Sequence, residues 1–139
     1  MKRTKEDITE IILHCSATIE GKDYSNATIT RWHIARGFRT IGYHFVIGLD
    51  GEVRKGRNIL TVGAHCKGRN KNTIGICIIG GLDKDRKPKD TRTLFQKHAI
   101  KNLIIKLKKK YPNIKKISGH YEYSNKACPC YNVDEYATL

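Results

Sequence analysis

The chain has 139 residues and carries 27 Lys and Arg against 13 Asp and Glu, a formal charge of +14. That length fits one domain, residues 1–139, which buries roughly 68% of the unfolded surface and needs no disulfide to hold a core. No run of about 20 apolar residues exists, so no membrane insertion is expected, and the charged start MKRTKEDITE lacks the apolar stretch of a signal peptide, which points to synthesis in the cytoplasm.

In chain order, TEIILHCSAT has a short apolar centre, Ile11 to Leu13, and reads as a buried strand ending near His14. TITRWHIARGF reads as a short helix capped by Thr28, with Ile29, Trp32 and Ala35 on one face and Gly37 ending it. GYHFVIGLDGEVRKGR places two β-rich runs around Asp50-Gly51, a two-residue turn, and so predicts a hairpin. TIGICIIGG is a buried strand in which Cys77 is a small apolar residue. GGLDKDRKPKD reads as a surface loop. TLFQKHAIKNLIIKLKKKYP is the long helix: Thr93 with Gln96 forms a capping-box pattern, Ile100, Leu103, Ile104, Leu107 and Tyr111 make the apolar stripe, and Pro112 stops it. Its lysines fall off that stripe, as on a solvated face. IKKIS supplies a last short strand. Buried strands alternating with helices, plus one hairpin, predict a single-domain α/β fold: a central mixed β-sheet of about five strands flanked by helices.

Five cysteines, an odd and scattered set, argue against a disulfide framework and for most of them being free thiols. The positive charge implies attraction to polyanions, namely nucleic acid, anionic membranes or anionic wall polymers. No nucleic-acid-binding signature accompanies it, so no nucleic acid partner is expected.

The segment GHYEYSNKACPC, residues 119–130, concentrates metal-ligand chemistry. Zinc takes His nitrogen and Cys sulfur, and a catalytic site uses three protein ligands with one position left open. His120 and Cys128 can supply two, brought together by a loop. The third is open among His14, His33, His44, His65 and His98. His98 sits among helix lysines and reads as exposed, and His33 reads as structural. His14 ends a buried strand, where catalytic groups often sit, while His44 and His65 stay open on spacing. Cys130, two residues beyond Cys128, is a second thiol able to chelate or oxidise.

The blocks HCSAT (14–18), RWHIARGF (31–38), IGYHFVIGLDGEV (41–53), VGAHCKGRNKNTIGICIIGGLD (62–83) and GHYEYSNKACP (119–129) resemble the type 2 N-acetylmuramoyl-L-alanine amidases, with the peptidoglycan recognition proteins as more distant cousins. The resemblance is collinear from about Ile8 to Tyr136. It implies an amidase-like fold and one zinc per chain, held by His14, His120 and Cys128. It also implies Tyr43 and Lys126 as catalytic residues and His65 lining the substrate groove. The implied substrate is peptidoglycan, cut between N-acetylmuramic acid and L-alanine of the stem peptide by a monomeric lysin of phage or prophage type. Such a lysin would reach the wall only after release from the cell. Cys130 departs from the pattern, since a phage relative has serine there. Recognition proteins that lose the cysteine ligand lose activity, so Cys128 argues for an enzyme over a binding module. A phage relative also inhibits its RNA polymerase, but no residue of this sequence identifies such a partner.

Overall fold

Strand β1 (Glu10–Cys15) is buried along its whole length, and the computed structural model, which describes residues 1–139, shows why. It lies between two parallel neighbours, β5 (Thr73–Ile78) and β7 (Lys116–Gly119). On the far side of β5, β3 (Phe45–Ile47) runs parallel to it and β4 (Val53–Lys55) pairs antiparallel at the edge. The order β4-β3-β5-β1-β7 is the expected five-stranded mixed sheet.

Side chains alternate across a strand, and here the alternation sorts two cores. Ile11, Leu13 and Cys15 of β1 and Ile74, Ile76 and Ile78 of β5 pack with Ile100, Leu103, Ile104 and Leu107 of α2 (Leu94–Lys110). On the opposite face Val46 and Cys77 pack with Ile41, Ile79 and Ile29 of α1 (Asn26–Ala35). His14 belongs to this second face by alternation, which sets it under α1 and not under the lysine-rich helix.

The long helix follows its sequence signals. Gln96 N donates to Thr93 Oγ1 at 3.1 Å and Thr93 N to Gln96 Oε1 at 2.9 Å, closing the capping box. Gln96 is fully buried, and its amide also reaches the carbonyls of Ile47 and Ile79. Lys97, Lys101, Lys106, Lys109 and Lys110 are exposed, as the solvated-face reading expects.

Three local expectations are corrected. The cap of α1 is Ser25, whose Oγ accepts from Thr28 N at 3.2 Å, so Thr28 lies inside the helix. The buried face of α1 is Ile29 and His33, one turn apart, while Trp32 stays 41% exposed and Ala35 is exposed. His33 turns inward because its Nδ1 accepts from Gly42 N at 2.8 Å, a bond no apolar spacing announces. The hairpin forms, but Ile47 pairs with Val53, so five residues rather than two make its loop. Gly51 takes φ +85° there, and a Cβ would meet Phe95 O at 2.8 Å.

The GGLDKDRKPKD segment is not wholly loop. Its β6 (Gly81–Leu82) pairs parallel with β2 (Thr18–Ile19) as a small second sheet. At the N-terminus Arg3 is buried and donates to the carbonyls of Ile59 and Thr73, tying three segments together. No helix is long and apolar enough to cross a membrane.

Candidate active site

Two neighbouring parallel strands deliver the histidines. In the β1–β7 register Leu13 faces Gly119, so His14 and His120, each one residue further on, come side by side with ring centroids 4.6 Å apart. The chain after His120 folds back, held where Tyr121 N donates to Cys128 O at 2.8 Å. Cys15 N then donates to Cys128 Sγ at 3.2 Å. One ligand atom each from His14, His120 and Cys128 lies within 4.8 Å of the others.

The donor set suits a divalent ion of zinc's kind. Cys128 Sγ stands 3.8 Å from His14 Nδ1. Burial, then the neighbouring His65, His120 and Lys126, holds His14 well below the usual imidazole range. Burial and then Lys126 lower His120. Both rings are therefore neutral, the form that ligates. Two imidazoles and one thiolate leave a divalent ion a net charge of about +1, so it stays a Lewis acid.

The remaining histidines and thiols separate from this cluster. His98 is exposed on α2. His44 is buried, with Nδ1 accepting from Gly75 N at 3.1 Å and Nε2 bonded to Thr61 O at 2.8 Å. His65 approaches as a neighbour of a ligand: its Nδ1 lies 2.8 Å from His14 Nε2. Cys130 points away from the histidines, with its Sγ 3.9 Å from Cys15 Sγ. The hydrogen bond with Cys128, with burial, pushes the Cys15 thiol up to about 12. The bond to Cys15, then burial, pushes Cys130 far above its ordinary range. Cys130 is thus paired with Cys15, and Cys128 is the thiol that clusters with the two histidines. All five cysteines are free of disulfides.

The three residues open onto a cleft of about 650 Å³ that Tyr43, His65 and Lys126 also line. The Tyr43 ring sits 5.2 Å from both the His14 and His33 rings. Burial, then the nearby thiols of Cys77, Cys128 and Cys15, keeps its phenol protonated well above the usual range. Lys126 is exposed at the rim. Arg36 and Lys67 add positive charge, and no carboxylate lines the cleft. Tyr123 forms part of the wall, anchored by its hydroxyl to Glu10 Oε2 at 2.7 Å and covered by the Arg69 guanidinium at 4.3 Å. Sequence reasoning missed Arg36, Lys67 and Tyr123. Their only signal was their place inside the blocks that carry the family resemblance.

The fold is that of the amidases and peptidoglycan recognition proteins. Amidase LysC from Clostridium intestinale URNW superposes with a TM-score of 0.82, covering 99% of this chain and 91% of that one at 26% identity. Drosophila PGRP-LB does so with a TM-score of 0.78, covering 93% and 78% at 27% identity. The chain belongs to the N-acetylmuramoyl-L-alanine amidase family, whose model matches residues 4–131. The endolysin of Escherichia phage T7 is 36% identical over 131 residues, 94% of this chain and 86% of that protein.

Proposed function

We propose that this chain is a zinc-dependent N-acetylmuramoyl-L-alanine amidase. On this reading it hydrolyses the amide between N-acetylmuramic acid and L-alanine of the stem peptide in bacterial peptidoglycan, as a phage- or prophage-type lysin. One observation carries the reading: the His14–His120–Cys128 cluster stands at the floor of a cleft in a chain of this family.

An amide is a poor electrophile with a poor leaving group. Zinc held by His14, His120 and Cys128 would supply Lewis acidity, polarising the carbonyl and easing deprotonation of water near neutral pH. Lys126 directs a fixed positive charge at the oxyanion of the tetrahedral intermediate. Tyr43, kept protonated by burial, serves as a hydrogen-bond donor to the same oxygen and is a poor base. His65, on the cleft wall, contacts substrate. Arg36, Lys67 and Lys126, with no opposing carboxylate, suit the free carboxylates of a stem peptide.

Peptidoglycan is thus the partner, met by a monomeric chain 1–139 after release from the cytoplasm, with one zinc per chain. Purified protein should clear a peptidoglycan suspension, lose that activity with a chelator and recover it with zinc. Clearing that survives complete metal removal would overturn the reading.

A further inference from the structure

His65 has a task besides lining the cleft, visible in its partners. Its Nδ1 meets His14 Nε2 at 2.8 Å, and its Nε2 meets Thr73 Oγ1 at 3.2 Å. The Thr73 hydroxyl lies 2.8 Å from the carbonyl of Arg69. His14, His65 and Thr73 are all buried. Thr73 does not line the cleft that holds the ligands.

Such a chain can run in only one direction at its far end, because a carbonyl only accepts. The Thr73 hydroxyl donates to Arg69 O, which leaves its oxygen to accept from His65 Nε2–H. His65 then presents a bare Nδ1, and His14 must carry its proton on Nε2. The His14 lone pair is left on Nδ1, the nitrogen 3.8 Å from Cys128 Sγ. Reversing the chain would protonate His14 Nδ1 and close it to a metal.

The sequence secures this at two points. A Cβ at Gly75 would stand 2.6 to 2.8 Å from His65 ring atoms, so only glycine there lets the imidazole lie against β5. Asn70 Oδ1 accepts from the backbone N–H groups of His65 and Cys66, each at 3.0 Å, and fixes the segment that carries the ring.

We infer that Thr73 and His65 are positioning residues that hold His14 in the one tautomer able to ligate a metal through Nδ1. The inference rests on the zinc reading above, and its geometry is that of the protein's own side chains. It makes Thr73, remote from substrate, a determinant of metal affinity.

The test compares Thr73→Val, which keeps the shape and removes the hydroxyl, with Thr73→Ser, which restores it. Zinc affinity, read by competition with a chromophoric chelator, should fall about 10–100-fold in Thr73→Val, the usual cost of losing such an outer hydrogen bond. It should return to within a few-fold of wild type in Thr73→Ser. The imidazole nitrogen shifts of the metal-free protein, read by NMR, should show His14 protonated at Nε2 in the wild type. In Thr73→Val they should show a mixture of tautomers. Should Thr73→Val fail to fold, His65→Phe, which keeps a ring against Gly75, should show the same loss of affinity. Wild-type affinity in the folded variant, or an unchanged His14 tautomer, overturns the inference. Because the tautomer measurement needs no metal, a wild-type protein that binds no zinc would sink the functional reading while leaving this one to stand or fall on its own.

Discussion

Acidification should destabilise the metal-free chain through His44, by an amount the structure sets. Burial, aided by the nearby Arg3 and Arg57, lowers this imidazole from 6.5 to about 4 against a raising hydrogen bond to Thr61. The unfolded chain takes up the proton first, so stability is full above pH 6.5 and is lost as pH falls towards 4. The whole shift corresponds to about 3 kcal/mol, of which about 2 kcal/mol is lost between pH 7 and pH 5. The other buried histidines titrate too, so the assay is a difference. Urea unfolding of wild type and His44→Asn, both with chelator, is measured at pH 7 and pH 5. Asparagine keeps an acceptor for Gly75 N but has no titrating ring. Wild type should be the more stable at pH 7, and the gap should shrink by about 2 kcal/mol at pH 5. A gap that stays constant or widens on acidification would refute the argument that a neutral, buried His44 is built into the fold.

Cys128→Ala should lose zinc and activity, whereas Cys130→Ser should keep both, since Cys130 faces Cys15; metal analysis of the two variants decides which thiol ligates. Lys126→Ala should retain stoichiometric zinc while its rate falls about 10²–10³-fold, the usual cost of removing an oxyanion-stabilising group. Tyr43→Phe should behave alike with a smaller loss, and wild-type rates in both would sink their assigned roles. If the +14 charge holds the enzyme on an anionic wall, lysis of intact sacculi should weaken as screening shortens from about 8 Å at 0.15 M salt to about 3 Å at 1 M. Cleavage of a small muramoyl peptide should be far less salt-sensitive, and equal dependence for both substrates would remove the anchor role.

The elements that sequence patterning reads well are those whose signal is local. The long helix has its stripe and its capping box within one segment, and β1 and β5 are continuous apolar runs because both faces are buried. What patterning misreads is decided by partners far away in sequence. His33 displaces Trp32 from the buried face of α1 because Gly42 offers it an N–H. The pairing of β2 with β6 depends on strands 62 residues or more apart, each only two residues long, too short to carry a period. Arg3 sits in a charged stretch with no apolar pattern to mark it as buried, yet its guanidinium satisfies carbonyls 56 to 70 positions away. In the site, the ligand chemistry of His120 and Cys128 is legible from residue type and spacing. His14 becomes legible through the family resemblance, and the β1–β7 register explains its place. The hydrogen bonds from His14 through His65 to Thr73 have no signature in sequence, because they depend on ring orientation.

The central claim is a bond to be broken, and mass spectrometry of peptidoglycan digested by the purified protein, with and without chelator, tests it most directly. The account predicts stem peptides released with a free L-alanine amino terminus, glycan strands left intact, and neither product when zinc is removed. New reducing sugar ends, cuts within the peptide, or the same products in the presence of chelator would contradict it.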